Sequence, residues 1–348
     1  MNGELEIVVL LPDHDAELRV VRLEGHEAIS RPFRFDVEVV ATEGTVLPDD
    51  VATGAKATIQ FRRGGEDVRR VHGVLTRVKR RVLADHGQPG LGLRLEPRAI
   101  RADLITTQEV FLDKTIPEIV IGKLDLVKAG GVGADHVPHY GLDASKYRKR
   151  ELVVQYKETD LAFIRRLAED AGISFHFEHD ARSDRIVLAD GMSGLRNGAQ
   201  VPSIRLTHNE NEPDAVHDFA RSESLVPGSY VVYDYNYRRA SEVMWPKRDA
   251  TPQAGTAPGT TFEYGCHAKD EDEAREIQAI RLDEVRCRRV RYTGRTSIVG
   301  MAAGDGRDHG VADRGHEHRR PVHGGVGRLE PRLSAGGAAR RSRASTGW

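Results

Sequence analysis

Apolar and polar residues alternate in short runs along the first hundred residues of the chain. In the run FRFDVEVV, Phe33 and Phe35 share one face with Val37 and Val39, and charged residues occupy the other face. A period of two is typical of a strand that is buried on one side. The runs KATIQFRR and LGLRLEP repeat it, with turn clusters such as RRGGED between them. The pattern predicts a closed or rolled antiparallel sheet over residues 1–105, with Phe33 and Phe35 anchoring its core.

The pattern changes in TIPEIVIGKLDLVKAGG, which begins at Thr115. Thr115 is suited to cap a helix, and Glu118, three residues on, completes a capping box. The glycine pair Gly130 and Gly131 is a suitable end for that helix. These features predict a helical insert with its connection over residues 106–150.

A second helix is predicted in YKETDLAFIRRLAEDAG, where either Thr159 or Asp160 can accept hydrogen bonds from the first free amides. Gly172 is positioned to end it. Apolar residues recur at helical spacing and predict the buried side of this central helix. They are Leu161, Phe163, Ile164 and Leu167.

The segment ISFHFEHD follows and alternates again as a strand. Phe175 and Phe177 share one face, whereas His176 and Glu178 share the other, which we expect to be solvated. His179 points away from His176, and the spacing matches no zinc-binding motif on a helix. We therefore predict no metal site here, although a metal-dependent hydrolase stays open as an alternative of another class.

Further strands at DRIVLAD and YVVYDYNYRR, and a helix from roughly Asp270 to Arg289, complete a second strand-rich half over residues 151–297. The acidic start and basic end of that helix suit its dipole. The fold class that these patterns predict is mainly β with α insertions, in two related halves.

After about residue 297 the composition changes to mainly glycine, arginine, alanine and histidine, without periodicity. The large apolar groups are too few to offset the conformational entropy lost on ordering. We therefore predict a disordered tail over residues 298–348. One interpretation is a genuine disordered basic tail that contacts RNA or anionic surfaces. The other, which we favour, is a GC-rich gene translated out of frame. The histidines at 316–318 lie in this tail, and metal binding there would be incidental.

Composition excludes several classes of function. The 52 basic and 53 acidic residues give a formal net charge of -1, which predicts no nucleic-acid partner and no stable membrane insertion. The two cysteines, Cys266 and Cys287, form no disulfide framework and suit a reducing cytoplasm. The acidic N-terminus lacks the features of a signal peptide. Because no nucleophile elbow or phosphate-binding loop occurs, we predict no catalytic residue, cofactor or metal.

Several blocks of the sequence resemble, in order, the VgrG proteins, the spike proteins of bacterial type VI secretion and relatives of phage tail baseplate hubs. The blocks are VVRLEGHEAISRPFRFDVEVV (20–40), RRVHGVLTRV (69–78), VFLDKTIPEIV (110–120), VVQYKETDLAFIRRLAEDAGISFHFEHD (153–180) and FEYGCHAKDEDEAREIQAIRLDEVRCRRVRYTGRT (262–296).

This resemblance implies two tail-tube-like β-barrels of the baseplate-hub type in a non-enzymatic structural protein. It implies a homotrimer that caps the hexameric Hcp tube and contacts baseplate proteins, assembled in the bacterial cytoplasm and then exported without a signal peptide. PAAR protein and effectors would join only through a C-terminal needle, which we expect to be missing because the altered tail replaces it. A phage or prophage tail hub is the alternative within this class.

Overall fold

The computed structural model describes residues 4–42, 46–83, 88–129, 139–191, 194, 196–197, 207, 214–240, 243–244, 257–306, 327–330 and 343–346. Strands dominate these residues and helices are few, which confirms the mainly β fold class. None of the helices in this part of the chain is long and apolar enough to cross a membrane.

Six strands form the first half. They are β1 (Leu5–Leu11), β2 (Ala16–Ala28), β3 (Arg31–Ala41), β4 (Lys56–Arg63), β5 (Glu66–Leu83) and β6 (Gln88–Glu96). They close into an antiparallel barrel in the order β1-β2-β3-β6-β5-β4. Phe33, Phe35, Val37 and Val39 of β3 are each 2% or less exposed. The alternation therefore predicted which face of this strand is buried.

A two-stranded ribbon and two helices follow the barrel. Their elements are β7 (Thr106–Lys114), α1 (Ile116–Ala129), β8 (His139–Gly141), β9 (Arg150–Thr159) and α2 (Asp160–Asp170). Strands β7 and β9 pair antiparallel and are called the β7–β9 ribbon below. The segment expected to be a helical insert thus begins with a strand, because β7 finds its partner on the far side of α1. The pairing is long-range, so periodicity within the insert could not show it.

Strands β10 (Ser174–His179) and β11 (Asp184–Ala189) form a three-stranded sheet with β8, in the order β10-β11-β8. Strand β10 corresponds to the motif SFHFEH and lies against the barrel. The main hydrophobic core is accordingly continuous from the barrel into α1, α2 and β10.

The rest of the second half contains small sheets and one helix. The elements are β12 (Arg196–Asn197), β13 (Val216–Glu223), β14 (Pro227–Tyr235), β15 (Val243–Met244), β16 (Ala257–Tyr264), α3 (Glu271–Arg286), β17 (Val290–Thr296), β18 (Asp305–Gly306), β19 (Gly327–Glu330) and β20 (Arg343–Thr346). The sheets run β15-β14-β16, β13-β17-β20-β19 and β12-β18. Among the described residues they do not close into one barrel, and the second barrel stays a prediction.

The start of the expected tail packs onto the folded chain. Ile298 is buried, and Val299 packs against the main core. Two further strands of the tail, β19 and β20, join the sheet of β17. Residues 307–326, 331–342 and 347–348, with the histidines at 316–318, lie outside the described residues. The out-of-frame origin of the tail therefore stays a prediction.

Candidate functional site

The central helix α2 begins at a side-chain cap. The amide of Ala162 donates to Oγ1 of Thr159 at 3.1 Å, so Thr159, and not Asp160, is the cap. Gly172 has φ +68°, a left-handed conformation that lets the chain turn sharply after the helix. The four apolar residues expected on the inner side of α2 are all buried: Leu161, Phe163, Ile164 and Leu167.

Helix α1 starts with a capping box. The amide of Thr115 donates to Oε2 of Glu118 at 2.7 Å, and the amide of Glu118 donates to Oγ1 of Thr115 at 3.3 Å. The hydrogen bond from the Thr115 amide lowers the pKa of the Glu118 carboxyl. The box fixes where the helix begins, and Ile119 and Val120 then enter the core.

A buried cluster of charges joins the ribbon to both helices. Lys123 is 1% exposed, and its Nζ lies 3.0 Å from Oδ1 of Asp160 and 2.8 Å from Oε1 of Glu109. Asp160 also accepts hydrogen bonds from Nε2 of Gln155 at 2.9 Å and from Oγ1 of Thr107 at 3.1 Å. Because these residues come from β7, α1, β9 and α2, the cluster fixes four elements relative to one another.

Sequence reasoning missed this cluster, although one signal for it was present. Lys123 stands inside the apolar stripe of α1, between Val120 and Leu124, which are both fully buried. A lysine at such a position indicates a buried carboxylate partner, because an unpaired buried charge is very costly.

Strand β10 forms the seam between the barrel and the second half. The Ser30 amide donates to the carbonyl of Phe175 at 2.7 Å. The ring of Phe33 meets that of Phe177 edge-on at a centroid distance of 5.3 Å. The His72 amide donates to Nδ1 of His179 at 3.1 Å. The aromatic and histidine side chains that point to the barrel therefore bind the two halves together.

A buried ion pair closes the same seam. Arg98, in the 3-10 turn after β6, donates from its amide to Oδ2 of Asp184 at 2.9 Å and from Nε to Oδ1 at 2.5 Å. Its Nη2 also donates to the Asp184 carbonyl at 2.8 Å, and both side chains are 3% or less exposed. This density of hydrogen bonds compensates the desolvation of the two charges and holds β11 against the end of the barrel.

The prediction that His176 lies on a solvated face is wrong, because His176 is fully buried. The chain returns over β10 after β17, and a Cβ added at Gly304 would lie 2.5 Å from the His176 ring. Nη1 of Arg69 on the barrel donates to the Met301 carbonyl at 2.9 Å and so holds the returning segment. The covering residues lie more than a hundred positions downstream of His176, so local alternation could not predict them.

Glu178, beside His176, keeps a charged partner. Its Oε1 lies 3.7 Å from Nε2 of His176, and its Oε2 accepts a hydrogen bond from Arg185 at 2.5 Å. His176 and Arg185 together lower the pKa of Glu178 to about 2. The separation from His176 exceeds a hydrogen bond, so we regard Arg185 as the principal partner at neutral pH.

The histidines of β10 do not converge on one point as metal ligands would. No group of three or more His, Cys, Asp or Glu side chains within the described residues converges as metal ligands. His176 and His179 point to opposite sides of β10, the former under Gly304 and the latter toward His72. Burial raises the pKa of the Cys266 and Cys287 thiols, which is the opposite of what activates a nucleophile.

The outer face of the β7–β9 ribbon is apolar and open to solvent. Its side chains are 41–62% exposed: Val110, Leu112, Leu152, Val154 and Tyr156. They sit opposite one another in the register, as Val110 with Val154 and Leu112 with Leu152. On the inner face, Phe111 and Val153 pack against the core. The outer face is therefore mainly apolar, whereas the inner face combines apolar side chains with the polar residues of the Lys123 cluster.

A six-stranded barrel fused through a buried seam to further sheets is the architecture of a tail-hub protein. The chain belongs to the family of phage tail baseplate hub proteins (GPD), which matches residues 26–306. It is similar to the type VI secretion spike protein VgrG5 of Pseudomonas aeruginosa, with 36% identity over 181 residues. That match covers 51% of this chain and 22% of VgrG5.

The longer matches support the same family. The spike protein VgrG1a of Pseudomonas aeruginosa is 25% identical over 297 residues, covering 82% of this chain and 44% of that protein. The chain thus spans less than half the length of both relatives.

The fold is also similar to that of a solved structure, a component of the E. coli type VI secretion system. That component is itself described as structurally similar to the T4 phage tail proteins gp27 and gp5. The similarity of this chain to that component has a TM-score of 0.61 at 20% identity and covers 99% of this chain and 77% of the other.

Proposed function

We propose that this chain forms the hub of a type VI secretion spike, that three copies assemble into a ring, and that the ring caps the hexameric Hcp tube. In this role the hub contacts baseplate proteins and passes the force of contraction from the tube to the spike. Assembly takes place in the bacterial cytoplasm, and the hub leaves with the apparatus. PAAR protein and effectors are carried by regions beyond the hub.

The observation that carries this proposal is the hub-family match from residue 26 to residue 306. It includes the barrel strands β3 to β6, the ribbon, the β10 seam and α3. A part that transmits force must resist shear between its halves. The Arg98–Asp184 pair and the Phe33–Phe177 contact are suited to that, since both cross the seam in the interior.

We propose no catalytic centre for this chain. The groups that first suggested chemistry have structural partners: His179 accepts from the His72 amide, and Glu178 pairs with Arg185. Force transfer around an axis is better served by extended surfaces than by a pocket, because many contacts share the load.

The test is binding to tube ends. Purified Hcp tubes are incubated with gold-labelled chain and viewed by electron microscopy, and the mass of the free chain is measured by sedimentation velocity. We expect a trimer and label at tube ends only. A Leu167→Asp variant, in which the second half is expected to unfold, is the negative control. Absence of label at tube ends for the folded wild-type chain would overturn the proposal.

The second candidate is the hub of a phage or prophage tail, which the family itself favours since it takes its description from phage tail baseplates. The same labelling experiment separates the two. A phage hub binds tubes made of phage tail-tube protein and leaves Hcp tubes unlabelled.

A further inference from the structure

The β7–β9 ribbon exposes a surface that its own fold does not use. Val110, Leu112, Leu152, Val154 and Tyr156 form one face without a charged side chain among them, and they are 41–62% exposed. The face amounts to roughly a few hundred Å2 of apolar surface, which is the size of patch that marks an interaction site on a soluble protein.

The outer face of the ribbon is unlike an ordinary solvated surface. A strand at a protein surface normally has a polar outer face, so the exposed apolar side chains here indicate a face that is covered on assembly. A bulge in β9 helps to place the apolar side chains on the outer face. Lys157 has φ +51°, and the register shifts at that point, where Thr107 pairs with Glu158 and Gln108 pairs with Tyr156. Upstream of the bulge, Tyr156 stays in phase with Val154 and Leu152, while beyond it Asp160 reaches the buried cluster.

The rim of this face is charged, as at the edge of a protein interface. Lys114 and Arg150 face each other across one end of the ribbon. At the other end the Lys157 ammonium lies 5.1 Å from the centroid of the Tyr156 ring. An apolar centre within a charged rim indicates a protein partner.

The position and composition of the outer face indicate which protein binds there. The ribbon lies within residues 26–306, the region that defines a hub, so its partner is expected to be a constant component of the hub. An uncharged, mainly apolar centre is characteristic of permanent homo-oligomer interfaces, whereas partners that must separate meet through more polar surfaces. The patch also fits as the apolar centre of a standard interface of about 800 Å2 per partner. Another copy of this chain satisfies all three conditions.

We propose that the outer face of the β7–β9 ribbon is the contact surface between copies of this chain; the inference rests on the proposed trimeric hub and specifies where its subunits meet. The buried Lys123 cluster lies directly beneath, with Thr107, Glu109 and Gln155 contributed by the ribbon itself. It holds the outer face in a fixed shape before assembly, which lowers the entropic cost of association.

The first test uses charge substitutions on the ribbon. Sedimentation velocity is compared for the wild-type chain, for Leu112→Arg and for Val154→Arg, with Leu225→Arg as the matched control. Leu225 is 79% exposed and lies outside the ribbon. We expect both ribbon variants to weaken the trimer by roughly 30-fold or more, as for the central residues of an interface, and the control to remain trimeric. Near-UV circular dichroism must show native packing in each variant.

A second measurement covers the case in which a ribbon variant fails to fold. A benzophenone amino acid replaces Tyr156 in the otherwise wild-type chain, and illumination is expected to produce cross-linked pairs of this chain. Three results would each overturn the inference: ribbon variants that stay trimeric, a Tyr156 probe that cross-links no second copy, and a wild-type chain that is monomeric at every concentration. If the ribbon variants stay trimeric and still bind tube ends, only the assignment of the interface to the ribbon fails. If the wild-type chain is monomeric and does not bind tube ends, the proposed hub function fails as well.

Discussion

Nζ of Lys123 lies 3.0 Å from Oδ1 of Asp160, and the two side chains are only 1% and 2% exposed. Helix α1 supplies the cation, and the first residue of α2 supplies the anion. The carboxylate sits at the helix N-terminus, where the dipole of α2 also favours negative charge. Two opposite charges in the interior thus fix the angle at which the two helices meet beneath the ribbon.

Removal of the lysine charge should be strongly destabilising. In Lys123→Met the Asp160 carboxylate keeps the neutral donors Gln155 and Thr107 but loses its cation. Breaking one side of a buried pair costs about 3–5 kcal/mol. We expect a loss of that size in the free energy of unfolding, measured by urea titration.

The matched control for this change is Lys146→Met. Lys146 pairs with Asp190 at 3.3 Å, but its side chain is 54% exposed. A surface pair contributes about 0–1 kcal/mol, so this variant should unfold close to the wild type. Equal losses in the two variants would show that the Lys123 cluster is not a special source of stability.

The barrel depends on the absence of a side chain at Gly25. Gly25 of β2 pairs with Phe35 of β3, and a Cβ at Gly25 would overlap the Phe35 ring. Phe35 is 1% exposed and packs within the main core, so Gly25→Ala should cost about 1–3 kcal/mol by overpacking. Thermal melting provides the measurement.

Gly122→Ala is the matched control: it is also a glycine-to-alanine change, but we expect it to stabilise the protein. Gly122 lies on α1, and no atom lies within 4 Å of an added Cβ. Alanine in a helix interior is better than glycine by about 0.5–1 kcal/mol, so the melting temperature should rise slightly. The steric account of Gly25 would be refuted if both alanines had effects of the same sign.

The buried stripe of α2 gives a third prediction. Leu167 is 4% exposed and belongs to the core shared by the barrel and the second half. In Leu167→Asp a carboxylate without a partner enters that core, and we expect the second half to unfold, with a loss above about 4 kcal/mol. Leu126→Asp on α1 is the control, since Leu126 is 56% exposed and should tolerate the charge. An unchanged melting temperature for Leu167→Asp would show that its burial is not structural.

What the sequence could predict was local. The alternation around Phe33 and Phe35 gave the buried face of β3, and the Thr115–Glu118 spacing gave the start of α1, since both depend on residues a few positions apart. The sequence could not decide whether Thr159 or Asp160 caps α2, because Asp160 is engaged by Lys123, which is distant in sequence. His176 was misassigned for the same reason: the cover over its ring comes from Gly304.

The last prediction concerns acid stability. The pKa of Glu178 is lowered from 4.5 to about 2. A carboxyl whose pKa is depressed by folding stabilises the protein above its unfolded pKa, and this contribution is lost as the pH falls from about 4.5 toward 2. In Glu178→Gln we expect a loss of roughly 1–3 kcal/mol in the free energy of unfolding at neutral pH, from the broken pair with Arg185. We also expect a shallower decline of stability below pH 4.5.

The control is Glu271→Gln, which alters an exposed pair with Arg275 on α3 and should leave the acid limb, the fall in stability below pH 4.5, unchanged. Urea unfolding at a series of pH values measures both variants. Parallel acid limbs for Glu178→Gln and the wild type would show that this carboxyl does not titrate with folding.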